Sequence, residues 1–311
     1  MPDLLIISPN AAVDRTAIIP NYTLGKIHRP QQLVALAGGK GLNVGRAVQR
    51  LGGAAHVFTI LAGHRGRWMM EQMQAEGVAM SAVWDEGETR DCYSVIDPVS
   101  GLVTEVFEHA VPISPRTWQA FETLILEHLA AAKMLACSGN LPPGAPPDGY
   151  ARLIHAAKQA GLLTFADTYG EPLRHALQAQ PHVLKVNGVE AGGLLGTAIE
   201  TLQDALKAAL CLRGMGIPMV VITLGKNGAV GVDDSGGWQI ISPQVQTVSA
   251  TGSGDCFLAG LMVTLQRGAA FPAALRLAAG AATANVLMPG AGIFDPAAAR
   301  EIAEQVQITP V

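Results

Sequence analysis

Short apolar runs alternate with amphipathic stretches along this chain, and no other feature constrains its fold as much. Apolar and β-branched runs of this kind are typical of strands buried on both faces of a sheet. Strands that alternate with helices predict an α/β domain with a mainly parallel sheet. The predicted strands are Leu4–Ser8, His56–Ile60, Met134–Ser138, Leu162–Ala166, His182–Val186 and Met219–Thr223. The predicted helices include Gly41–Leu51, Gly66–Glu76, Arg116–Ala132, Tyr150–Ala160, Thr201–Arg213 and Gly254–Arg267.

Two segments interrupt this alternation with short strand-like pieces. The first, residues 12–36, contains such pieces around Thr16–Ile19 and Gln32–Ala35. The second, residues 91–107, predicts a hairpin because the turn-forming residues Asp97–Gly101 separate two strand-like runs. These pieces can pair into a small sheet that acts as a lid beside a pocket, or they can remain separate surface hairpins.

Composition and charge exclude several classes of protein. Only 15% of the 311 residues are charged, the net charge is −4 and no basic run stands out, which argues against a broad nucleic-acid surface. No apolar stretch reaches the ~18 residues of a membrane span, and the first residues do not resemble a signal peptide. The cysteines are far apart, with no CxxC pair and no matching histidine spacing, which argues against a zinc site or a disulfide framework and fits a reducing cytoplasm. We therefore expect one soluble, cytoplasmic domain over residues 1–311, with Cys92, Cys137, Cys211 and Cys256 as free thiols.

The strongest local motif is Ala250–Asp255, where small residues stop abruptly and an amphipathic helix begins. The first backbone N–H groups of a helix have no intrahelical partner, and glycine lets the backbone approach a ligand closely. Gly252, Ser253 and Gly254 therefore suit an anion site for a phosphate or a phosphoryl group in transfer. Asp255, in the first helical turn, can accept a proton from an attacking hydroxyl beside that site. Its simpler role would be that of an N-terminal capping residue.

A glycine-rich segment, Gly38–Gly45, also opens a helix. It is not a Walker A loop, because Lys40 is followed by Gly41 and no four-residue spacer separates flanking glycines. It also lacks the GxGxxG fingerprint of dinucleotide-binding folds, which disfavours a dehydrogenase. The segment combines flexible backbone with the cation of Lys40 and the amide of Asn43, and this combination suits a polyhydroxy ligand.

Two further motifs follow predicted strands, at the carboxyl ends where open α/β sheets bind ligands. In Lys185–Glu190, the oxygens of Asn187 and Glu190 suit Mg²⁺, which takes few protein ligands and keeps several waters. The alternative for this segment is a capping asparagine followed by a solvated glutamate. Thr223–Ala229 supplies a glycine turn between two strands, which can wrap a nucleotide phosphate or form an ordinary hairpin.

These four motifs, in this order, resemble the phosphofructokinase B (pfkB) family of ribokinase-like sugar kinases. The resemblance extends over nearly the whole chain. It is strongest to the branch that contains 1-phosphofructokinase, tagatose-6-phosphate kinase and the minor 6-phosphofructokinase. Further matching segments are Asn10–Thr16, Thr89-Arg90, Ser138–Gly144 and Asp167–Gly170.

The resemblance implies a three-layer α/β/α, ribokinase-like body with a mainly parallel central sheet. A small β-sheet lid would be formed by about residues 12–36 and 91–110, and in this family the lid commonly forms a homodimer interface. The resemblance also implies ATP and Mg²⁺ as cofactors and a small sugar phosphate as the second substrate, with no nucleic-acid or membrane partner.

The same resemblance implies roles for individual residues. Asp255 matches the catalytic base, and Gly252, Ser253 and Gly254 match the anion hole. The substrate-binding matches are Asp14, Gly39, Lys40, Asn43, Arg90 and Ser138. The nucleotide-binding matches are Lys185, Asn187, Thr223, Gly225, Gly228 and Asn285, and the pair associated with the metal is Asn187 and Glu190.

Several positions depart from the family pattern, mostly on the lid and the sugar side. Cys92 replaces an asparagine, and Asn140 and Tyr169 each replace a serine. The lid segment around Phe107 and Ala110 lacks the usual asparagine and the usual Gly-Pro pair. The phosphoryl-transfer motif is intact, so the resemblance implies a kinase and leaves the sugar open. Two further departures are Val186 in place of a proline and Ala250 in place of a threonine.

The predicted function is transfer of the γ-phosphoryl group of ATP to a hydroxyl of a ketohexose phosphate, such as fructose 1-phosphate, fructose 6-phosphate or tagatose 6-phosphate. Arg90 is the preferred ligand for the phosphate of the sugar, because a guanidinium binds phosphate bidentately. Lys26, Arg29 and Lys40 are alternatives. Two other functions stay open: a ribokinase-like kinase for a free sugar or nucleoside, and a non-catalytic sugar-phosphate sensor, which would not need Asp255.

Overall fold

Strands and helices alternate through most of the computed structural model, which describes residues 3–311. Each strand and helix predicted above is present, although one helix ends earlier than expected. No helix in the described residues combines the length and apolar character needed to cross a membrane. The strands are β1 (Leu4–Ser8), β2 (Ala12–Ile18), β3 (Gln32–Gly38), β4 (Ala55–Ala62), β5 (Ala79–Asp85), β6 (Asp91–Asp97), β7 (Leu102–Phe107), β8 (Met134–Ser138), β9 (Leu163–Asp167), β10 (Val183–Asn187), β11 (Met219–Thr223), β12 (Ala229–Asp233), β13 (Gly236–Ile241) and β14 (Gln307–Pro310). The helices are α1 (Lys40–Arg50), α2 (Gly63–Ala75), α3 (Pro115–Leu126), α4 (Gly149–Gln159), α5 (Gly170–Gln178), α6 (Gly188–Leu195), α7 (Leu202–Gly214), α8 (Ser253–Gln266), α9 (Phe271–Asn285) and α10 (Pro296–Gln305).

Most of the strands form one large sheet, in the order β14-β13-β12-β11-β10-β9-β8-β1-β4-β5. Every neighbouring pair from β11 to β5 is parallel. The strands β12, β13 and β14 extend the β11 edge in antiparallel pairs. The prediction of a mainly parallel central sheet is therefore confirmed.

Helices cover both faces of the large sheet. Leu5 and Ile7 of β1 pack into an apolar core with α3 and α4. Leu4 and Ile6 of the same strand pack on the opposite side with α1 and α8. Because successive side chains of a strand point to opposite faces, the sheet lies between two helical layers. This is the three-layer α/β/α arrangement that the resemblance implied.

The other strands form a small sheet, in the order β3-β2-β6-β7. The parallel pair β2 and β6 joins the two irregular segments, so the expectation of a single small sheet is confirmed. Its strands span residues 12–38 and 91–107, close to the expected bounds of the lid. Directly paired residues share a face of a sheet, so Asp14, Cys92 and Phe107 lie on one face of the lid.

The predicted helix Arg116–Ala132 ends at Leu126 in the structure. A ring nitrogen of His128 lies 2.7 Å from the carbonyl oxygen of Leu124. A continuing helix would offer that carbonyl to the backbone N–H of His128. This N–H bonds to the carbonyl of Ile125 instead, and a short 3₁₀ turn follows.

Candidate active site

The carboxyl ends of neighbouring parallel strands bring polar side chains together at one edge of the large sheet. Ser138 ends β8 and pairs in register with Asp167, which ends β9. Asn187 ends β10 and pairs in register with Thr223, which ends β11. Open α/β sheets bind ligands at this edge, and Ser138, Asn187 and Thr223 all lie there. No role had been assigned to Asp167 from the sequence.

The start of α8 lies against the same edge, and two glycines permit this close approach. Gly252 precedes the helix with a left-handed backbone (φ 82°), and a Cβ there would lie 2.4 Å from the Cβ of Ala291. A Cβ at Gly254 would lie 2.8 Å from Nζ of Lys185 in β10. The first turn of α8 therefore presents its backbone N–H groups beside a buried ammonium group, a combination that binds anions.

Asp255 stands in this first turn and is only 5% exposed. Its carboxylate oxygen Oδ2 accepts a 2.9 Å hydrogen bond from Nδ2 of Asn43, so its side chain bonds to α1 and does not cap its own helix. Burial raises the pKa of Asp255 to about 7, although the ammonium groups of Lys40 and Lys185 oppose this shift. A carboxyl group with such a pKa can take up a proton near neutral pH and release it again.

Asp167 holds two ammonium groups beside Asp255. Its Oδ1 accepts from Nζ of Lys40 and its Oδ2 from Nζ of Lys185, each at 2.9 Å. Asp167 is fully buried, which by itself would raise its pKa, but the charges of Lys185 and Lys40 hold that pKa below its usual range. One buried carboxylate thus joins two ammonium groups in this site.

Asn187 and Glu190 form a reciprocal capping box at the start of α6. Oδ1 of Asn187 accepts from the backbone N–H of Glu190 at 2.8 Å, and Oε2 of Glu190 accepts from the backbone N–H of Asn187 at 2.9 Å. The asparagine therefore caps the helix, as the simpler interpretation expected. The glutamate is not merely solvated, because its Oε1 accepts from Nζ of Lys40 at 3.1 Å.

The carboxyl group of Asp14 packs against Gly38, at the start of the glycine-rich segment. A Cβ at Gly38 would lie 2.0 Å from Oδ2 of Asp14, so only glycine leaves room for that carboxyl group. Burial raises the pKa of Asp14 to about 6, although a hydrogen bond from the backbone N–H of Gly39 lowers it. Oδ1 of Asn43 accepts from the buried guanidinium of Arg46 at 3.2 Å, which orients the amide of Asn43 with its NH₂ toward Asp255.

Arg90 lies at the base of the lid, near enough to lower the pKa of Asp14 by its charge. Its Nη1 donates to the carbonyl of Glu108 at 3.2 Å, and its Nε is buried with no partner in the protein. An unpaired buried donor of this kind suits an anionic ligand. Lys26 and Arg29 are exposed in the loop between β2 and β3.

A cavity of about 400 Å³ extends from the start of α8 along the end of β11. Ser253 and Gly254 line one end, beside the predicted nucleotide residues Thr223, Gly225 and Gly228. Part of the lining is apolar, which suits the base of a nucleotide. The apolar lining residues include Ile240, Pro243, Val245, Phe257, Ala279, Ala282 and Val286.

Three predicted nucleotide residues do not line this cavity: Lys185, Asn285 and Asn187, which caps α6. Lys185 is buried and paired with Asp167. Asn285 is fully buried, where its amide donates to the carbonyl of Thr251 at 2.9 Å and accepts from the backbone N–H of Gly292 at 2.8 Å. Asn285 thus fastens the loop that leads into α8.

Comparisons with known proteins give consistent relatives. The model of the pfkB family of carbohydrate kinases matches residues 6–298. The chain is 30% identical to a 1-phosphofructokinase of Rhodobacter capsulatus, over 82% of this chain and 81% of that protein. It is 29% identical to a tagatose-6-phosphate kinase of Staphylococcus epidermidis, over 83% and 84%.

Solved structures show the same fold. Phosphofructokinase-2 of Escherichia coli, in complex with substrates and products, superposes with a TM-score of 0.91 at 26% identity and covers 97% of this chain and 98% of its own. A ribokinase of Arabidopsis thaliana with ribose and ATP superposes with a TM-score of 0.76 at 21% identity, covering 97% and 99%. The second likeness concerns the fold alone.

Proposed function

We propose that this chain, which belongs to the pfkB family of carbohydrate kinases, transfers the γ-phosphoryl group of ATP to a hydroxyl group of a ketohexose phosphate. Membership in the family makes it a phosphotransferase with an alcohol group as acceptor. The observation that carries the proposal is the position of Asp255, a buried carboxyl at the start of α8. Its carboxyl group bonds to Asn43 of the glycine-rich segment, and the preceding residues Ser253 and Gly254 line the cavity.

The proposed reaction places the acceptor hydroxyl beside Asp255. Asp255 accepts the proton of this hydroxyl as its oxygen attacks the γ-phosphorus, and ADP leaves on the opposite side. The N–H groups of the first turn of α8 stabilise the charge on the phosphoryl oxygens, and the ammonium of Lys185 adds to this field. The pKa of Asp255, about 7, suits a base that must bind a proton and return it to water in every turnover.

A divalent metal ion, expected to be Mg²⁺, fits the chemistry of the oxygen groups at this site. Glu190 and Asp167 already share one cation, the ammonium of Lys40, so their charge suits a metal. Within residues 3–311 no cluster of three or more His, Cys, Asp or Glu side chains could hold a metal. Mg²⁺ takes few protein ligands and keeps several waters. We propose that Glu190 holds the metal, with Asn187 fixing the glutamate. When bound, the metal would neutralise charge on the phosphates of ATP.

The acceptor is proposed to be a sugar phosphate because the guanidinium of Arg90, near Asp14, has a buried Nε with no partner in the protein. A phosphate held by Arg90 would orient the sugar so that its free hydroxyl reaches Asp255. Asp14, Gly39 and Asn43 would bind the other hydroxyl groups. The relatives of 26–30% identity are named 1-phosphofructokinase, tagatose-6-phosphate kinase and phosphofructokinase-2, and we propose a substrate of the class in those names.

A coupled assay of ADP release tests this function. The acceptors are fructose 1-phosphate, fructose 6-phosphate, tagatose 6-phosphate, free fructose, ribose and adenosine, each with ATP and Mg²⁺. Turnover with a phosphorylated ketohexose supports the proposal. Faster turnover with ribose or adenosine would favour a kinase for free sugars or nucleosides, and sugar-phosphate binding without any ADP release would favour a sensor.

We also propose that two copies of the chain pair through the lid. Its outer face carries the exposed side chains of Leu33, Leu102 and Val106, with Tyr93 beside them. Burying this apolar face in a homodimer would remove it from water. Light scattering on the wild type and on Val106→Asp tests this pairing. We expect a dimeric wild type and a monomeric variant, and a monomeric wild type would refute the pairing.

The free thiols, three of which are buried, fit a cytoplasmic location.

A further inference from the structure

Lys40 stands between two carboxylates that are otherwise fully engaged. Its Nζ donates to Oδ1 of Asp167 at 2.9 Å and to Oε1 of Glu190 at 3.1 Å. The second oxygen of Asp167 accepts from Lys185, and the second oxygen of Glu190 accepts from the backbone N–H of Asn187. One oxygen of each carboxylate therefore converges on a single point, and the ammonium of Lys40 fills it.

A second observation marks this point as a ligand site. The hydroxyl of Ser138 is fully buried and has no hydrogen-bond partner in the protein. Ser138 pairs in register with Asp167 on the adjacent strand, so its hydroxyl belongs to the same edge of the sheet. Converging carboxylate oxygens, and a hydroxyl on the adjacent strand end, are the kinds of oxygen ligand that a hard divalent cation takes.

The two lysines at Asp167 differ in their freedom to move. The side chain of Lys185 is 4% exposed, whereas that of Lys40 is 29% exposed. Lys40 is the first residue of α1 and follows Gly39. Its Nζ lies 5.8 Å from the ring centre of Tyr169, an exposed residue. Lys40 can therefore leave the carboxylates toward an open part of the site, whereas Lys185 cannot.

We propose that Lys40 and the divalent metal compete for the same oxygens of Asp167 and Glu190, so that Lys40 must leave before the metal can bind both carboxylates. Two cations cannot share this point, because their repulsion in a partly buried site is large. A phosphate group of a bound substrate would attract Lys40 and so vacate the oxygens for the metal. This inference rests on the proposed function only for the identity of the phosphorylated substrate. Its consequence is that the metal binds both carboxylates only after a phosphorylated ligand has drawn Lys40 away.

Binding of Mn²⁺ to the protein alone, without nucleotide or sugar, tests the competition. Electron paramagnetic resonance of free Mn²⁺ gives the dissociation constant for the wild type and for Lys40→Met. The variant should bind Mn²⁺ about tenfold tighter or more, since a competing unit charge is removed from a site a few ångströms across. The matched control is Lys133→Met, which removes a lysine from an exposed 2.9 Å pair with Asp3 and should leave Mn²⁺ binding unchanged.

A double variant locates the metal. Adding Glu190→Gln to Lys40→Met should abolish the gain in Mn²⁺ affinity. Unchanged or weaker Mn²⁺ binding in Lys40→Met, or a gain that survives Glu190→Gln, would overturn the proposal. If Lys40→Met alone does not fold, refolding by 10 mM Mg²⁺ supports the competition, and failure to refold contradicts it. The Mn²⁺ experiment measures no turnover, so a negative result in it does not affect the kinase proposal. Likewise, a failure to release ADP in the coupled assay would not affect the Mn²⁺ affinities.

Discussion

Replacing Asp255 with asparagine should make the folded protein more stable above pH 7, although it removes the proposed proton acceptor. The carboxyl group of Asp255 is 5% exposed, and burial raises its pKa from 3.8 to about 7. In the unfolded chain the group ionises near pH 4, whereas in the folded protein it keeps its proton up to about pH 7. Ionisation therefore opposes folding, and stability falls as the pH rises through this interval.

The size of the effect follows from that interval. A difference of about three pH units corresponds to about 4 kcal/mol in the free energy of unfolding once the pH exceeds the folded pKa. Asparagine keeps the shape of the side chain and can still accept the hydrogen bond from Asn43. We expect the free energy of unfolding of Asp255→Asn to exceed that of the wild type by about 2–4 kcal/mol at pH 8. At pH 6 this advantage should be smaller by about 1–2 kcal/mol.

Urea unfolding at pH 6 and pH 8 measures this difference, with tryptophan fluorescence as the signal. Asp3→Asn is a matched control on the surface, where hydrogen bonds to Lys133 and Gln266 lower the pKa of the aspartate. Its ionised form is favoured in the folded state, so this control should gain no stability at pH 8. The reasoning is refuted if Asp255→Asn is less stable than the wild type at pH 8, or if its advantage does not depend on pH.

Three further changes test other parts of the site. Arg90→Ala should raise the KM for a phosphorylated sugar at least tenfold and change kcat little, because the lost contact is made in both the ground state and the transition state. Steady-state kinetics measures both constants. An equal rise in the KM for an unphosphorylated acceptor would exclude a contact with the phosphate. The wild-type kcat/KM should rise with pH through a midpoint near 7, because Asp255 must be ionised to accept a proton, and a flat profile from pH 5 to pH 9 would contradict this. Gly252→Ala should lower the free energy of unfolding, measured in urea, by about 2–4 kcal/mol, because the backbone there is left-handed and the new Cβ would clash with Ala291. The control Gly268→Ala has a left-handed backbone but open space, and should cost about 1 kcal/mol. Equal costs would argue against the close approach of Gly252 to Ala291.

The central strands were predictable because their residues are buried on both faces and form uninterrupted apolar runs. β8 and β11 match the predicted bounds. The strands β5 and β14 were not predicted, because they lie at the two ends of the large sheet and are partly exposed, which breaks the apolar pattern. The hairpin of β6 and β7 was predicted, but the pairing of β2 with β6 lay beyond the sequence, since period-two patterns identify strands and not their distant partners.

The individual motifs of the site were predictable, whereas the contacts between them were not. The hydrogen bond from Asn43 to Asp255 joins residues 212 positions apart, and no local pattern encodes such a pair. Asp167 was visible only as the residue after a predicted strand and as the first residue of a segment that matches the family, with no role of its own. Its two ammonium partners come from α1 and β10. Arg46 gave no signal as a partner of Asn43, because a buried arginine on a helix looks like a surface residue in the sequence.

Turnover by Asp255→Asn tests the proposed chemistry most directly. With ATP, Mg²⁺ and the sugar phosphate that the wild type prefers, kcat should fall by about 10²–10⁴-fold, because a general base contributes that much to a proton transfer. The KM values should change little, since the folded protein keeps its shape. A kcat within a few-fold of the wild-type value would show that the carboxylate at the start of α8 does not accept the proton of the sugar hydroxyl.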